Sequence, residues 1–334
     1  MTTTVTPPQT RTRRLTGFQP TGNLHLGNLL GAMRPLIAAQ DRADSIAMIA
    51  DLHALTRDHQ PPRVRAQTLE QATVLIAAGV DPARTALIAQ SQVPEHTELH
   101  YLLECATHVG EATRMIQYKE KSAAGGPVRV SLLTYPVLMA ADILVHDIAE
   151  VPVGDDQSQH LELTRTVATR FNARYGETFT VPQGIKPESA ARIMDLAEPT
   201  SKMGKTTGTG AGRIGLLDPP EVIRRTIARA VTDTVGRVRH DPSAQPGVTN
   251  LLAILSACTG REPDAIASYG ALKREVTDAV DAVLAPIRQR YAELARDPGY
   301  VTAVLADGAS RVRPHAAATV SRARRAIGLL DQDR

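Results

Sequence analysis

Cysteine is nearly absent from this chain. Cys105 and Cys258 are the only two, far apart and outside any Cys-x-x-Cys spacing. That excludes a disulfide scaffold and a cysteine zinc site, and it suits a reducing compartment. Long apolar runs are missing as well. No stretch reaches the roughly 18 residues that a membrane-spanning helix needs, so no membrane partner is expected. The opening residues, MTTTVTPPQTRTRR, lack the apolar segment of a secretory signal. Residues 1–11 are expected to be a disordered polar extension, and the chain is expected in the cytoplasm. Aromatic residues make up 3% of the sequence, with no tryptophan. An excess of one charge is also lacking: the net charge is +3, too small to establish a nucleic-acid partner. The tail departs from that balance. In 310-SRVRPHAAATVSRARRAIGLLDQDR-334, five arginines (Arg311, Arg313, Arg322, Arg324 and Arg325) precede the first acid, Asp331. A phosphate backbone would suit such a patch, but arginines on a solvated face near a helix C-terminus are the plainer reading.

What is present indicates a soluble globular protein. The chain has 334 residues with 43% hydrophobic and 22% charged, enough for two domains with a sizeable core. In the first half, short apolar runs at 15–19, 45–51, 85–91 and 149–154 alternate with helical patterns, such as 63–79 ending in Gly79. Strands separated by helices predict βαβ units and a parallel sheet. Beyond about residue 220 the strand signals stop. The segments 221–232, 248–256, 271–293 and 314–330 all read as helices. The fold expected is α/β: a Rossmann-like nucleotide-binding domain over 12–206 with a helical insertion at about 95–145. A Gly-rich linker at 207–215 and an all-helical domain over 216–334 follow.

The stretch 199-PTSKMGKTTGTGAGRIG-215 admits three phosphate-binding readings. A P-loop needs a glycine where Pro199 stands, directly after a strand, and 192-RIMDLAEP-199 does not look like one. A dinucleotide fingerprint at Gly210, Gly212 and Gly215 must also follow a strand, yet it follows 201-SKMGKTTGT-209. Two lysines on a mobile loop, Lys202 and Lys205, remain. They gain meaning beside 17-GFQPTGNLHLGNLLGAMRP-35. There Gly22 and Gly27 allow close backbone approach, and His25-Leu26-Gly27-Asn28 opens a helix whose free N–H groups suit an anion.

Together these motifs carry a resemblance. His25-Leu26-Gly27-Asn28 resembles the HIGH motif of class I aminoacyl-tRNA synthetases, and 202-KMGKT-206 resembles their KMSKS motif. The stretches 118-YKEKS-122, 133-LTYPVLMAADIL-144, 151-VPVGDDQSQHLELTRTVATRFNARYG-176 and 229-RAVTDT-234 are similar to bacterial tryptophanyl-tRNA synthetases. The similarity runs from about residue 15 to near the C-terminus.

The resemblance implies ATP-dependent activation of tryptophan, with release of pyrophosphate and transfer to the 3′ end of tRNA(Trp). It also implies a homodimer, and Mg2+ arriving with ATP rather than in a metal site of the protein. Catalysis would fall to His25, Asn28, Lys121, Lys202 and Lys205, mainly by positioning and electrostatics. ATP would be held by Gln19, Thr21, Gly22, Gly27, Asn28, Gly154, Asp156, Lys202, Met203, Lys205 and Thr206. Tryptophan would meet Gln19, His53, Tyr135, Met139, Asp142 and Gln157. In that set Asp142 takes the indole N–H, the ring's only polar handle. Met139 packs on the ring.

Three departures from the family pattern stand out. Gly204 and Thr206 occupy positions where serine is usual, 123-AAGGP-127 has no second lysine, and 207-TGTGAGRIG-215 lacks an early acid. They leave the reaction class intact and bear on ATP affinity. They also fit a divergent second copy with altered inhibitor response, or a synthetase-like protein that binds without charging. Fold and motifs are shared with tyrosyl-tRNA synthetases, and the superfold with small-molecule nucleotidyltransferases, so both compete with the tryptophan reading.

Overall fold

The structure is a computed structural model that describes residues 11–123, 127–152, 154, 158–185, 192–204 and 210–330, the side chains of Lys121 and Ala123 excepted. Among these, β1 (Arg13–Phe18), β2 (Asp44–Ile49), β3 (Thr85–Ala89), β4 (Glu150–Pro152) and β5 (Gln183–Ile185) form a parallel sheet in the order β3-β2-β1-β4-β5. Leu15 faces Ile46, and Ile46 faces Ala86 across the central pairs. SIAMI in β2 and TALIA in β3 are buried along their whole length. Such unbroken apolar runs are what a sheet covered on both faces requires. The chain moves outward from β1 to β3, then crosses back to lay β4 on the other side of β1. A crevice therefore opens at the C-terminal ends of β1 and β4, the switch point where ligands of open α/β sheets bind.

The connections place helices around that crevice. After β1 comes α1 (Leu26–Asn28), then a π turn (Leu29–Met33) and α2 (Arg34–Ala39). The Arg34 N–H reaches back five residues to the Leu29 carbonyl, just ahead of Pro35, which has no N–H to give. After β2 come α3 (Asp51–Ala54) and α4 (Pro61–Ala77), the latter followed by Gly79 at φ +113°, as the 63–79 pattern predicts. Between β3 and β4 stand α5 (Glu95–Glu104), α6 (Val109–Ala112), α7 (Ile116–Ala123) and α8 (Val130–Leu144), where the helical insertion is expected. Then follow α9 (Ser158–Tyr175), α10 (Pro220–Ala228), α11 (Pro246–Thr259), α12 (Tyr269–Leu294) and α13 (Pro298–Ala326).

The last four helices divide between two cores. Ile223, Ile227, Val248, Leu251, Leu272 and Val276 of α10 to α12 share a cluster with Leu26, Leu30, Met33 and Leu75 beside the sheet. Helix α13 spans both: Val301 and Leu305 join that cluster, while Ala309, Val312, Ala316 and Val320 pack with Ile88, Leu99, Leu103 and Val137 of the sheet and the insertion. Each such aliphatic side chain contributes about 1.5–3 kcal/mol when fully buried. The contact is close enough to require glycine, because a Cβ on Gly308 would lie 2.1 Å from the Leu87 carbonyl oxygen.

This packing corrects the reading of the tail arginines as a solvated helix face. Arg313 pairs with Glu95 at 3.3 Å, Arg322 with Asp147 at 2.8 Å and Arg324 with Glu98 at 2.6 Å, while Arg311 bonds the Pro82 carbonyl at 2.6 Å. These arginines fasten α13 to the body of the protein. The Gly-rich stretch also differs from the flexible linker expected. Residues 207–209 lie outside the described residues, but 210–215 are built in. Leu196 N–H donates to the Gly212 carbonyl at 3.0 Å, and Leu26 N–H to the Ile214 carbonyl at 2.9 Å. A Cβ on Gly212 would lie 1.8 Å from Asp195 Oδ1.

Candidate active site

Each of the first three strands ends in a residue of one polar network. From β1 the chain turns at Gln19, whose carbonyl accepts from the Thr21 N–H at 2.8 Å. Gln71 on α4, buried, clamps this turn: its Nε2 donates to the carbonyls of Gln19 (3.0 Å) and Gly22 (3.3 Å). The Gln19 amide then donates to the His53 carbonyl at 2.9 Å, beyond the end of β2. Asp51, beside it, accepts from Ser91 N–H at 2.9 Å and so joins the ends of β2 and β3.

His25 caps the helix that follows, with extended backbone and a buried ring. Its N–H donates to Asn28 Oδ1 at 3.1 Å. Gly27 leaves the space beside that ring open, since a Cβ there would lie 3.2 Å from His25 Nδ1 and 3.6 Å from Met203 Cβ. The two sequence motifs therefore meet at Gly27 and Met203. Met203 is buried, held in a hairpin in which its N–H donates to the Ile193 carbonyl (3.0 Å) and Asp195 N–H to the Ser201 carbonyl (2.8 Å). Lys202 is exposed on this hairpin, bridged through its backbone to Met194. Lys205, Thr206, Asp156 and Gln157, together with the side chain of Lys121, lie outside the described residues. Gly154 follows β4 and is exposed.

The second half of the site centres on Asp142, in the last turn of α8 and 1% exposed. Three groups donate to it: Gln90 Nε2 to Oδ1 at 2.7 Å, His96 Nδ1 to Oδ1 at 2.7 Å, and His53 Nε2 to Oδ2 at 2.8 Å. Burial alone raises a carboxyl pKa, yet the hydrogen bonds from His53 and His96 outweigh it and hold Asp142 well below the usual range. A carboxylate has about four acceptor sites, two on each oxygen. Oδ1 is filled, and Oδ2 keeps one site open. Two turns before, Tyr135 is half-buried, edge-on to His53 with ring centres 6.2 Å apart. Its O–H donates to Gln117 Oε1 at 3.1 Å and accepts from His160 Nε2 at 2.8 Å. Burial pushes its pKa up to about 12. Met139, half-buried, flanks the same face.

Structure thus unites Gln19, His53, Tyr135 and Asp142 in one cluster and His25, Gly27, Asn28 and Met203 in another. Sequence reasoning missed Gln90, His96, Gln117 and His160. Of these, only His160 stands out in the sequence, as a candidate metal ligand beside Asp155 and Asp156 that lacks convincing ligand spacing. Behind the motif hairpin lies a cavity of about 420 Å3, whose lining includes Asn23, Arg213, Asp218, Arg225 and Arg229.

Comparison with known proteins places these features in context. Residues 7–285 match the profile of tRNA synthetases class I (W and Y). The chain is 54% identical over 328 residues to tryptophan–tRNA ligase 1 of Streptomyces coelicolor, covering 96% of this chain and 98% of that one. Among solved structures, tryptophanyl-tRNA synthetase from Mycoplasma pneumoniae superposes with a TM-score of 0.89 at 36% identity, covering 96% and 98%. The Campylobacter jejuni enzyme, complexed with ADP and tryptophan, gives 0.80 at 31% identity, covering 95% and 100%.

Proposed function

This chain belongs to the class I tRNA synthetases (W and Y), and from that premise we propose how its residues carry the reaction. The activity is that of a tryptophan–tRNA ligase that uses ATP. The tryptophan carboxylate attacks the α-phosphorus of ATP in line, forming tryptophanyl-adenylate and releasing pyrophosphate. The terminal ribose hydroxyl of tRNA(Trp) then attacks the acyl carbon, and AMP leaves.

Asp142 selects the side chain. Its one open acceptor site, on the helix that also carries Tyr135 and Met139, matches a ligand with one N–H donor and a flat apolar body. That match is the observation supporting this assignment. Gln157 takes the ammonium. His25, Gly27 and Asn28, with Gln19, Thr21, Gly22 and Met203, cradle ATP, and Gly154 and Asp156 sit by its ribose. Lys202, Lys205 and Thr206 close over the departing pyrophosphate with Lys121, lysine being a flexible point charge able to follow it. Mg2+ would arrive coordinated by the ATP phosphates.

Exchange of labelled pyrophosphate into ATP tests the assignment. Tryptophan should support exchange and tyrosine should not, and Asp142→Asn should raise the tryptophan KM while sparing the ATP KM. Equal exchange with tyrosine, or an unchanged tryptophan KM in the variant, would refute the role of Asp142.

We further propose a homodimer. The helical insertion exposes Tyr101, Val109, Ile116 and Val130, an apolar surface that a second copy would cover. Sedimentation of Val109→Glu beside the parent chain tests this: a monomeric variant supports it, and a parent that is itself monomeric excludes it. tRNA should meet cations that have no internal partner. Arg225, in the last turn of α10, and Arg229, just past its end, are exposed and make no ion pair among the described residues. No described helix is long and apolar enough to cross a membrane, and a cytoplasmic location fits the two free thiols.

A further inference from the structure

Asp142 is backed by a second buried donor relay that the reaction as described above does not use. His96, from the start of α5, and His146, just after α8, are 0% and 1% exposed. His96 Nδ1 lies 2.7 Å from Asp142 Oδ1, and His96 Nε2 lies 3.2 Å from His146 Nε2. Their rings sit 5.0 Å apart at 65°.

The proton inventory gives this chain a direction. An ionised carboxylate only accepts, so the proton on His96 that faces Asp142 is on Nδ1. A neutral His96 then presents a bare Nε2 to His146, buried, and needs a donor there. His146 Nε2 is the group in place. Burial keeps His146 neutral by holding its pKa well below the ordinary value. A neutral His146 carries one ring proton, and on this arrangement it sits on Nε2. Donation therefore runs from His146 to His96 to Asp142.

The position of His146 is also fixed from behind. Its carbonyl accepts from Arg13 at 3.4 Å. The next residue, Asp147, has φ +48°, a conformation that a non-glycine residue holds only when its surroundings demand it. Asp147 is gripped by Arg322 at 2.8 Å and His315 at 3.0 Å, both on α13.

We infer that His146 is a positioning residue for tryptophan selection: by donating to His96 it locks the tautomer that fills Asp142 Oδ1, leaving the open site on Oδ2 for the substrate N–H. This rests on the assignment of Asp142 to the indole. Without the lock, His96 can turn its proton to Nε2. Oδ1 then loses a donor, and the substrate N–H no longer has a single acceptor to find.

Two measurements test the inference. Long-range 1H–15N spectra of histidine-labelled protein read the tautomer directly. Protonated Nδ1 and bare Nε2 on His96 near pH 7 support it, whereas a doubly protonated or Nε2–H His96 overturns it, whether or not any variant folds. Pyrophosphate exchange reads the consequence. His146→Leu should raise the tryptophan KM about tenfold, the order expected for losing one buried hydrogen bond, with the ATP KM unchanged. His146→Gln, which restores an N–H, should recover most of that loss. Equal effects on both KM values without rescue by glutamine would mean a merely structural role and overturn the inference. If Asp142→Asn raises the tryptophan KM but His146→Leu does not, the relay fails while the Asp142 assignment stands. If Asp142→Asn itself has no effect, the assignment fails first.

Discussion

Asn250 forms a closed pair of hydrogen bonds with the backbone of one residue, Met194. The Met194 N–H donates to Asn250 Oδ1 at 2.9 Å, and Asn250 Nδ2 donates to the Met194 carbonyl at 2.9 Å. Asn250 is buried on α11, and Met194 bridges to Lys202. The helical end of the chain thus holds the strand that carries the first lysine of the motif. Asn250→Ala leaves two backbone groups unpaired, each costing about 1–3 kcal/mol. The ATP KM should rise while the tryptophan KM stays level, and Asn250→Asp, which keeps the acceptor, should fall between. Pyrophosphate exchange with each substrate varied in turn checks this, and equal changes in both KM values would contradict it.

Gly212→Ala should disturb the same hairpin from the other side. The added methyl would lie 1.8 Å from Asp195 Oδ1 and 2.3 Å from the Ala197 nitrogen, and Asp195 Oδ1 itself accepts from Ala197 and Glu198 at 2.8 and 3.1 Å. Part of the turn must move. Thermal melting should drop by several degrees, as a cost of about 1–3 kcal/mol for such overpacking implies. Gly110→Ala, with open space around it, is the control and should melt within a degree or so of the parent.

Acid sensitivity has an identifiable contributor. Its hydrogen bond to Arg170 lowers the Glu111 carboxyl, against the opposing effect of burial, from 4.5 to about 2. A carboxylate held below its unfolded value stabilises the fold fully above that value and progressively less as pH falls through the folded one. Urea unfolding should therefore show this contribution intact at pH 6 and fading between about pH 4.5 and 2. Glu111→Gln should be less stable than the parent at pH 6 and lose less on acidification. Parallel pH curves for the two would refute it.

The arginines divide into two groups with opposite expectations. Arg225→Ala with Arg229→Ala should weaken tRNA binding and flatten its salt dependence by about one to two units of slope, leaving tRNA-independent pyrophosphate exchange untouched. Arg322→Ala with Arg324→Ala removes ion pairs to Asp147 and Glu98. It should lower the melting temperature without changing the salt slope. Binding isotherms across salt concentrations, with melts alongside, separate the two.

The parallel sheet was legible because fully buried strands leave unbroken apolar runs, as in SIAMI and TALIA. β5 was not, since Gln183–Ile185 has three residues and little burial. Helix α13 was read from residue 314 onward because Pro314 looks like a helix start, whereas it lies inside a helix that begins at Pro298. Asp142 was legible as an acid in an apolar run. Its donors Gln90 and His96 were not, because they stand 52 and 46 residues away in the chain and only the fold brings them together. The tail arginines gave a basic stretch in sequence, but their partners lie up to 229 residues upstream, so local charge could not say what they meet.

The return of α13 to the sheet also sets an order of assembly. A ribosome makes β3, α5 and α8 long before it reaches Pro298–Ala326, and until then the faces of Ile88 and Leu99 that α13 covers stay open. The turn that presents His146 stays unpinned for the same interval, because Arg322 and His315 have not yet been added. A nascent chain of this protein is therefore unfinished around His146 and Asp142 until α13 has been made. A fragment halted at Asp297 should be open to protease around Asp147 and unable to support tryptophan-dependent exchange.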